Sequence, residues 1–281
     1  MDRPNRFSLL GAFVDAITAT DMLTFMAEQI AKRKRTIIAN HNLHSLRLYK
    51  DRPVMRALFE VADVVEFDSV PMILWSRLLG DPVSMKHRST YLDYRQSFWN
   101  LVQTNGWRVY HLGGKPEVAP KAYAALTKSF PKIDLHVHHG YFDKTSKAND
   151  QVLADIAEKA PDVLLVGMGM PLQEEWVFQN LNKLPHCVIL TVGGAFDYEA
   201  GVTFTPPRWA GRMGLEWLAR LISDPMRLYH RYLIEPWALA PLAVKDVLFL
   251  NPPAKGLALP EFPVEKRLAL LNMALLKQSD G

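Results

Sequence analysis

The chain has 281 residues, of which 49% are hydrophobic and 22% are charged, and its formal net charge at pH 7 is +4. This is the composition of an ordinary globular protein with a full apolar core, and the charge is too small to predict nucleic-acid binding. The single cysteine, Cys187, excludes an internal disulfide and any cysteine-rich metal site, and its apolar neighbours indicate a core position.

No stretch of the sequence has the pattern of a membrane-spanning helix. The apolar runs are shorter than the roughly 18 residues that a span requires, and the most apolar segment, 236–250, contains a proline, a lysine and an aspartate. Asp15 interrupts the apolar run that follows Arg3 and Arg6, so we expect no signal peptide. Association with a membrane surface stays open.

Strand and helix patterns alternate along most of the chain. We predict strands at 13–14, 36–39, 64–67, 107–112, 133–138, 162–166 and 188–192. Between them, helical spacing predicts helices at 21–34 with Thr20 as N-cap, after Asn42 with a break at Pro53, and at 71–79, 91–104, 116–130, 145–159 and 172–182. This order predicts an α/β fold with a doubly wound, mostly parallel, Rossmann-like sheet.

The pattern changes after Pro206. Two helices are predicted at 209–222 and 226–233 with no strand between them, and we assign no structure beyond Pro236. We therefore predict an α/β catalytic domain over 1–205 and a C-terminal helical appendage over 206–281.

Polar residues and glycines follow the predicted strands where the strands end. They are Asn40, Asn42, Asp68, Gly113, Gly114, Gly167, Gly169, Gly193 and Gly194. Because parallel strands end at the same edge of a sheet, these clusters predict a crevice for a nucleotide or a sugar nucleotide. The alternative for each glycine pair is an ordinary bend between strand and helix. Neither a Walker loop nor a complete G-x-G-x-x-G is present, which argues against an ATPase and a standard dinucleotide enzyme.

The sequence predicts neither a metal nor another cofactor. It has no Asp-x-Asp pair, and although His136 and His138 share one face of a predicted strand, His139 points away from it. No cysteine or nearby acid completes a zinc site. If the reaction releases an anionic group, its charge would then be neutralised by an arginine and by backbone N–H groups near Gly113, Gly114 and Gly169.

The motifs in order resemble those of the WecG/TagA/CpsF glycosyltransferase family over roughly 11–232. The resemblance is carried by the segments 40–42, Asp68, 111–115, 139–143, 167–174, 192–197, 214–217 and Arg220. It implies an inverting enzyme that moves a sugar from a UDP-sugar to a lipid-diphosphate-linked sugar during surface polysaccharide assembly.

The resemblance implies that Asp68 is the general base. Because Ile38 stands where the family has a hydroxyl residue, any role of that hydroxyl passes to Asn40 or Asn42, and we predict that Asn40 is catalytic. Asp68 alone could instead cap the next helix, and Asn40 and Asn42 could be strand-end caps rather than ligands of a sugar or uracil. Three departures from the family's pattern stand near this site. Ser69 replaces a glycine, Arg88-Ser89-Thr90 replaces Gly-x-Asp, and Ile38 replaces a hydroxyl residue.

The remaining substrate-binding residues implied by the resemblance are Asn42, Gly113, Gly114, Tyr141, Gly169, Gln173, Gly193, Gly194, Asp197, Arg212 and Arg220. Among them, Asp197 is expected at the end of the last strand, either orienting a loop or holding a ribose hydroxyl.

The C-terminal segment mixes arginines with aromatic residues, namely Arg208, Arg212, Arg220, Arg227 and Arg231 with Trp209, Trp217, Tyr229, Tyr232 and Trp237. This mixture is typical of a helix on an anionic membrane, and arginine also suits a diphosphate. The alternative is a helix packed on its own domain with a solvated basic face.

We therefore predict a hexosyltransferase at the cytoplasmic face of the cytoplasmic membrane, with a UDP-sugar donor and a polyprenyl-diphosphate-linked sugar acceptor. The alternatives are another sugar-nucleotide enzyme, such as an epimerase, and a non-catalytic scaffold of a polysaccharide assembly complex. The donated sugar, the accepted sugar and the oligomeric state are left open.

Overall fold

One eight-stranded sheet forms the centre of the protein. The computed structural model describes residues 5–206, 215–249, 264 and 267. Its strands are β1 (Asn5–Leu9), β2 (Ala12–Ala16), β3 (Thr36–His41), β4 (Val64–Phe67), β5 (Arg108–Gly113), β6 (Asp134–His138), β7 (Val163–Gly167) and β8 (Val188–Thr191). They lie in the order β1-β2-β4-β3-β8-β7-β5-β6. Every neighbouring pair is parallel except β1 and β2, which form an antiparallel hairpin at one edge.

Helices connect the parallel strands. They are α1 (Ala19–Ala31), α2 (Leu43–Asp51), α3 (Pro53–Val61), α4 (Val70–Leu78), α5 (Tyr91–Asn105), α6 (Val118–Ser129), α7 (Lys147–Lys159), α8 (Leu172–Asn180) and α9 (Ala195–Glu199).

The helices cover both faces of the sheet, which therefore has two apolar cores. One core contains Leu58 of α3, Met72 of α4, Ile156 of α7 and Trp176 of α8. The other contains side chains of α1, α5, α6 and α9, with Trp99 at its centre. Because both faces are covered, β3, β7 and β8 consist almost entirely of buried residues, as expected for the inner strands of a parallel sheet. The predicted doubly wound α/β fold is confirmed.

Some predicted elements differ from those observed. The first predicted strand, at 13–14, is β2, the second strand of a hairpin. Its partner β1 was not predicted, because we did not recognise the turn at Leu10 and Gly11 that joins the two strands. Thr18 rather than Thr20 caps α1, with its hydroxyl accepting from the Asp21 amide. The expectation that Asp197 ends the last strand is wrong, because β8 ends at Thr191 and Asp197 lies in α9.

The C-terminal segment consists of short helical elements. They are helices at Glu216–Ser223 and Pro225–Tyr229, a π-helical turn at His230–Ile234, a 3-10 turn at Glu235–Leu239 and a helix at Ala240–Phe249. Within the described residues, the helix predicted at 209–222 is observed at Glu216–Ser223. The helix predicted at 226–233 is divided into the helix Pro225–Tyr229 and the π-helical turn His230–Ile234. Arg208, Trp209 and Arg212 lie outside the described residues.

The C-terminal segment is attached to the α/β body by buried polar contacts. Asp246 Oδ2 accepts from the Leu10 amide at 2.8 Å and from Trp75 Nε1 at 3.3 Å. His44 Nδ1 of α2 lies 2.5 Å from Glu235 Oε2. Arg267 donates to the Ala62 carbonyl at 3.0 Å. The segment therefore contacts both edges of the sheet, because His44 follows β3 at the carboxyl edge whereas Leu10 and Ala62 precede β2 and β4 at the amino edge. The division at 205 stays a prediction. None of the helices in the described ranges is long and apolar enough to cross a membrane.

Candidate active site

A cavity of about 1080 Å³ opens at the carboxyl edge of the sheet, between the loops after the strands and the C-terminal segment. Most of the site residues predicted from sequence line it, namely Asn40, Asn42, Asp68, Gly114, Tyr141, Gly169, Gly193, Gly194, Asp197 and Arg220. The parallel sheet brings them together, because their strands all end at this edge. Gly113 and Gln173 are not among the lining residues, and Arg212 lies outside the described residues.

Asp68 follows β4 and faces the cavity from its floor. Its amide donates to the His41 carbonyl at 2.8 Å, which fixes the backbone against β3. Its Oδ2 accepts from Asn42 Nδ2 at 3.1 Å. Burial raises the pKa of Asp68 to about 6, although the hydrogen bond from Asn42 and the charges of Arg220 and Arg88 oppose that rise. Asp68 is thus a carboxylate at neutral pH whose proton affinity is close to that of a general base.

Asn40 and Asn42 both make structural contacts. Asn42 is the N-cap of α2, and its Oδ1 accepts from the Ser45 amide at 3.0 Å while its Nδ2 holds Asp68. Asn40 Nδ2 donates to the Thr191 carbonyl at 2.7 Å and so joins β3 to β8. The cap interpretation therefore applies to Asn42, and both side chains still border the cavity.

Gly113 serves strand packing. A Cβ at this position would lie 2.2 Å from the Gly167 carbonyl oxygen, so only glycine lets β5 and β7 approach each other here. The neighbouring Gly114 has a positive φ of 69°, and its amide donates to the same carbonyl at 3.1 Å. That N–H is therefore directed at the protein and not at the cavity, contrary to the expected role in neutralising a leaving group.

Gln173 connects the loops that follow β7 and β8. Its Oε1 accepts from the Gly169 amide at 3.2 Å and from the Gly193 amide at 3.0 Å, and its Nε2 donates to Glu174 Oε1 at 2.6 Å. The side chain is completely buried. Gln173 therefore positions the glycine loops after β7 and β8, and its side chain does not line the cavity.

Asp197 and Tyr141 both line the larger cavity. The Asp197 carboxylate covers Gly194, where an added Cβ would be 3.0 Å from Asp197 Oδ2. The Asp197 carbonyl accepts from the amides of Val202 and Thr203, so the backbone of this residue orients the loop that closes the cavity. Tyr141 is 65% exposed and offers an open aromatic face.

Arg220 enters the cavity from the C-terminal segment. Its guanidinium bonds to Glu216 Oε1 and lies over the Tyr198 ring, with Cζ 5.4 Å from the centroid. The other oxygen of Glu216 accepts from Arg88 Nη2 at 2.7 Å. One carboxylate therefore holds an arginine of the C-terminal segment next to an arginine of the body, and Asp68 lies within the electrostatic reach of both.

The pairing of Glu216 with Arg88 was missed from sequence. The two residues are far apart in the chain, and the sequence indicated Glu216 only as part of the motif 214–217. Glu66 was also missed, because it lies within a short run that reads as a buried strand, yet it lines the cavity. Only the i, i+2 spacing of Glu66 and Asp68, which puts both on one face of a strand, could have indicated it.

Potential metal ligands are scattered. Within residues 5–206 and 215–249, no three His, Cys, Asp or Glu side chains are grouped so that they could hold a metal ion. Asp134 Oδ1 lies 3.1 Å from His136 Nε2, but this pair gains no third ligand among the described residues. His138 Nδ1 is instead 2.8 Å from the His139 carbonyl.

A second, smaller cavity of about 340 Å³ adjoins the first. Both cavities share Asp68 and Arg220, and both also border on Asn42, His44, Arg231 and Tyr232. The smaller one is otherwise lined largely by apolar side chains, among them Leu43, Val70, Pro71, Trp217 and Pro236. Asp68 and Arg220 therefore lie where the two cavities meet, and the linings of these cavities differ.

The fold places the protein among the α/β enzymes that bind substrates at the carboxyl edge of a parallel sheet. The chain belongs to the WecG/TagA/CpsF family of glycosyl transferases, whose model matches residues 7–252. This confirms the resemblance and the prediction of a glycosyltransferase.

Relatives with assigned names are similar over most of their length. An N-acetylglucosaminyldiphosphoundecaprenol N-acetyl-beta-D-mannosaminyltransferase of Staphylococcus aureus strain MW2 is 27% identical over 227 residues, which are 79% of this chain and 87% of the relative. The enzyme of the same name from strain NCTC 8325 is similar to the same extent.

Proposed function

We propose that the protein transfers a hexose-type sugar from a UDP-sugar to a sugar linked to a polyprenyl diphosphate, with inversion at the anomeric carbon. The observation that carries the proposal is the position of Asp68 and Arg220 at the junction of two cavities. The names of the staphylococcal relatives support a lipid-linked acceptor that ends in N-acetylglucosamine.

The larger cavity is the proposed donor site. Its volume lies at the upper end of the roughly 300–1,000 Å³ typical of small-molecule sites, which suits a nucleotide diphosphate with an attached sugar. Lys115, Arg220 and Arg231 line it and supply positive charge for a diphosphate. Tyr141 offers a ring on which a base can stack.

The smaller cavity is the proposed acceptor site. Its apolar walls suit the first isoprenyl units of a lipid, and its opening toward Asp68 brings the sugar end of such a molecule to the base. The two substrates then meet from different sides, as a direct displacement requires.

The proposed reaction has one displacement step. The acceptor hydroxyl oxygen attacks the anomeric carbon, the bond from that carbon to the UDP oxygen breaks, and the hydroxyl proton passes to Asp68. UDP leaves with the bonding electron pair, and Arg220 stabilises the charge that develops on its diphosphate. A single displacement at the anomeric carbon inverts its configuration.

Transfer is expected to persist in excess EDTA, because arginine and lysine supply the positive charge and the described acids form no group that could hold a metal against a diphosphate. The measurement is UDP release with and without the chelator. A complete loss of activity that manganese or magnesium restores would contradict metal independence.

Membrane association at the cytoplasmic face is part of the proposal. The C-terminal segment exposes Met226 by 93%, Trp237 by 76% and Ile222 by 73%. The nearby α4, which contacts this segment through Trp75 and Asp246, exposes Leu74 and Leu78. Apolar side chains beside arginines provide both components of interfacial binding, which are the burial of apolar area and the attraction of positive charge to anionic lipids.

Replacing both Met226 and Trp237 by serine is expected to weaken binding to anionic phosphatidylglycerol vesicles by about tenfold or more, because each buried large apolar side chain contributes roughly 1.5–3 kcal/mol. The measurement is cosedimentation with vesicles. Tyr123→Ser, on the exposed side of α6, is the matched control and should leave binding unchanged. Unchanged binding by the double variant would remove these side chains from the membrane contact.

A UDP-release assay tests the proposed function as a whole. UDP-N-acetylmannosamine with a short-chain N-acetylglucosaminyl diphosphate lipid should yield UDP and a disaccharide lipid, and no UDP should form without the acceptor. An epimerase would instead convert the UDP-sugar alone, and a scaffold would do neither. Either of those results would overturn the proposal.

A further inference from the structure

Glu66 is a buried carboxyl group on the wall of the larger cavity. It is 3% exposed and lies two residues before Asp68 on β4, so both side chains project from the same side of the strand. Within the part of the chain that the structure describes, Glu66 Oε1 has no hydrogen-bond partner. A buried polar atom without a partner is costly in a folded protein and calls for an explanation.

Ser89 is a second buried group of this kind in the same cavity. It is 1% exposed, and its Oγ also lacks a hydrogen-bond partner among the described residues. Its position is fixed, because its amide donates to the Phe67 carbonyl at 2.8 Å and the preceding Arg88 forms a parallel bridge with Phe67. The loop that carries Ser89 is therefore attached to the strand that carries Glu66.

The state of Glu66 defines what it can bind. Burial raises its pKa to about 8, and the negative charge of Asp68 adds to this rise. At neutral pH the protonated carboxyl offers one O–H donor and one carbonyl acceptor. Together with the Ser89 hydroxyl it matches a sugar hydroxyl or an acetamido group, which also donate and accept.

The position of the pair indicates which substrate it contacts. Glu66 and Ser89 line the larger cavity but not the smaller one, whereas Asp68 lines both. A group that reaches Glu66 therefore belongs to the molecule in the larger cavity, and at the part of it closest to the base.

We propose that Glu66 and Ser89 form a subsite that binds a hydroxyl or acetamido substituent of the transferred sugar and so contributes to donor selection. The proposal rests on the placement of the UDP-sugar in the larger cavity.

Binding of UDP and of UDP-sugars separates this role from a structural one, because UDP lacks the sugar. Isothermal titration with UDP, UDP-N-acetylglucosamine and UDP-N-acetylmannosamine gives the ratio of affinities for sugar-bearing and sugar-free ligand. Glu66→Met is expected to reduce affinity for the preferred UDP-sugar about tenfold and to leave affinity for UDP within about twofold. Glu66→Gln, which keeps a donor and an acceptor, should retain most of the affinity.

Ser89→Ala is the second variant, with an expected loss of about threefold or more in UDP-sugar affinity only. Ser76→Ala is its matched control, because Ser76 is equally buried but bonds to Asp81 away from the cavity. Variants of Glu66 and Ser89 that weaken UDP and UDP-sugar equally, or that change neither, would overturn the subsite alone. A parent protein that binds no UDP compound would overturn the proposed donor, and the subsite with it.

The free protein gives a further readout. Because Glu66 lacks a partner for Oε1, replacing it by an apolar side chain of similar shape should not lower the melting temperature. A Glu66→Met variant that melts well below the parent would show that Glu66 serves folding, and would contradict the proposal.

Discussion

Asp68→Asn is expected to lower the rate of sugar transfer by about 10²- to 10⁴-fold, the usual contribution of a general base. The amide has the same shape as the carboxylate and can still accept the hydrogen bond from Asn42, but it cannot take the proton of the acceptor hydroxyl. Affinity for UDP should therefore change little. The measurement is single-turnover transfer at saturating donor, with titration of UDP as the binding control.

Asp150→Asn is the matched control for Asp68→Asn. Asp150 is an exposed carboxylate whose contact is a salt bridge of 3.3 Å to Lys183 on the surface. Its replacement should leave transfer unchanged. Turnover by Asp68→Asn within about threefold of the parent would remove Asp68 from the role of base.

The pH dependence of the parent enzyme follows from the same residue. Asp68 must be deprotonated to accept a proton, and its pKa is raised to about 6. The rate should therefore fall about tenfold per pH unit below that value and be constant from there to about pH 8, where Glu66 begins to ionise. In the Asp68→Asn variant the remaining slow rate should lose this acid limb.

Arg220→Ala is the change with the second largest expected effect, a loss of about 10²- to 10³-fold in turnover. Arg220 lines both cavities and is the proposed cation for the departing diphosphate. Glu216 keeps its bond of 2.7 Å to Arg88, so the C-terminal segment should remain docked without Arg220. Arg220→Lys keeps the charge but loses the planar fork, and should lie between the parent and the alanine variant.

The pH profile provides a second measurement on Arg220→Ala. The charge of Arg220 lowers the pKa of Asp68, so its removal should move the acid limb to higher pH. Arg47→Ala, which removes an exposed arginine paired with Asp51 on α2, is the control and should change neither rate nor profile. A normal rate with an unshifted profile would exclude Arg220 from the site.

The sequence was sufficient to predict the sheet and to predict that Asn40, Asn42 and Asp68 lie close together at one of its edges. Buried parallel strands read as continuous apolar runs, and the polar residues after them necessarily share one edge. Gly113 and Gln173 were also correctly located near this edge. Their contacts were not predictable, because whether a glycine faces a ligand or a neighbouring strand depends on separations of a few ångströms.

The contacts of the C-terminal segment could not be predicted for another reason. Glu216, Arg88 and Arg220 form one group through tertiary packing, and no spacing in the sequence relates the first two. Glu66 was taken for part of an apolar strand because a single charged residue among valines does not show whether it is paired, solvated or directed into a cavity. Its burial became apparent only from the packed structure.

The bond of Glu216 to Arg88 and Arg220 has a consequence for the newly made chain. During synthesis, Asp68 and every strand of the sheet are made before Glu216 and Arg220. Domains generally begin to fold from the N-terminal side as they emerge. The sheet can thus form around Asp68 while Arg220 is still absent and one wall of each cavity is missing. If Arg220 stabilises the leaving diphosphate as proposed, transfer should begin only after the segment that carries Arg220 has docked on the sheet.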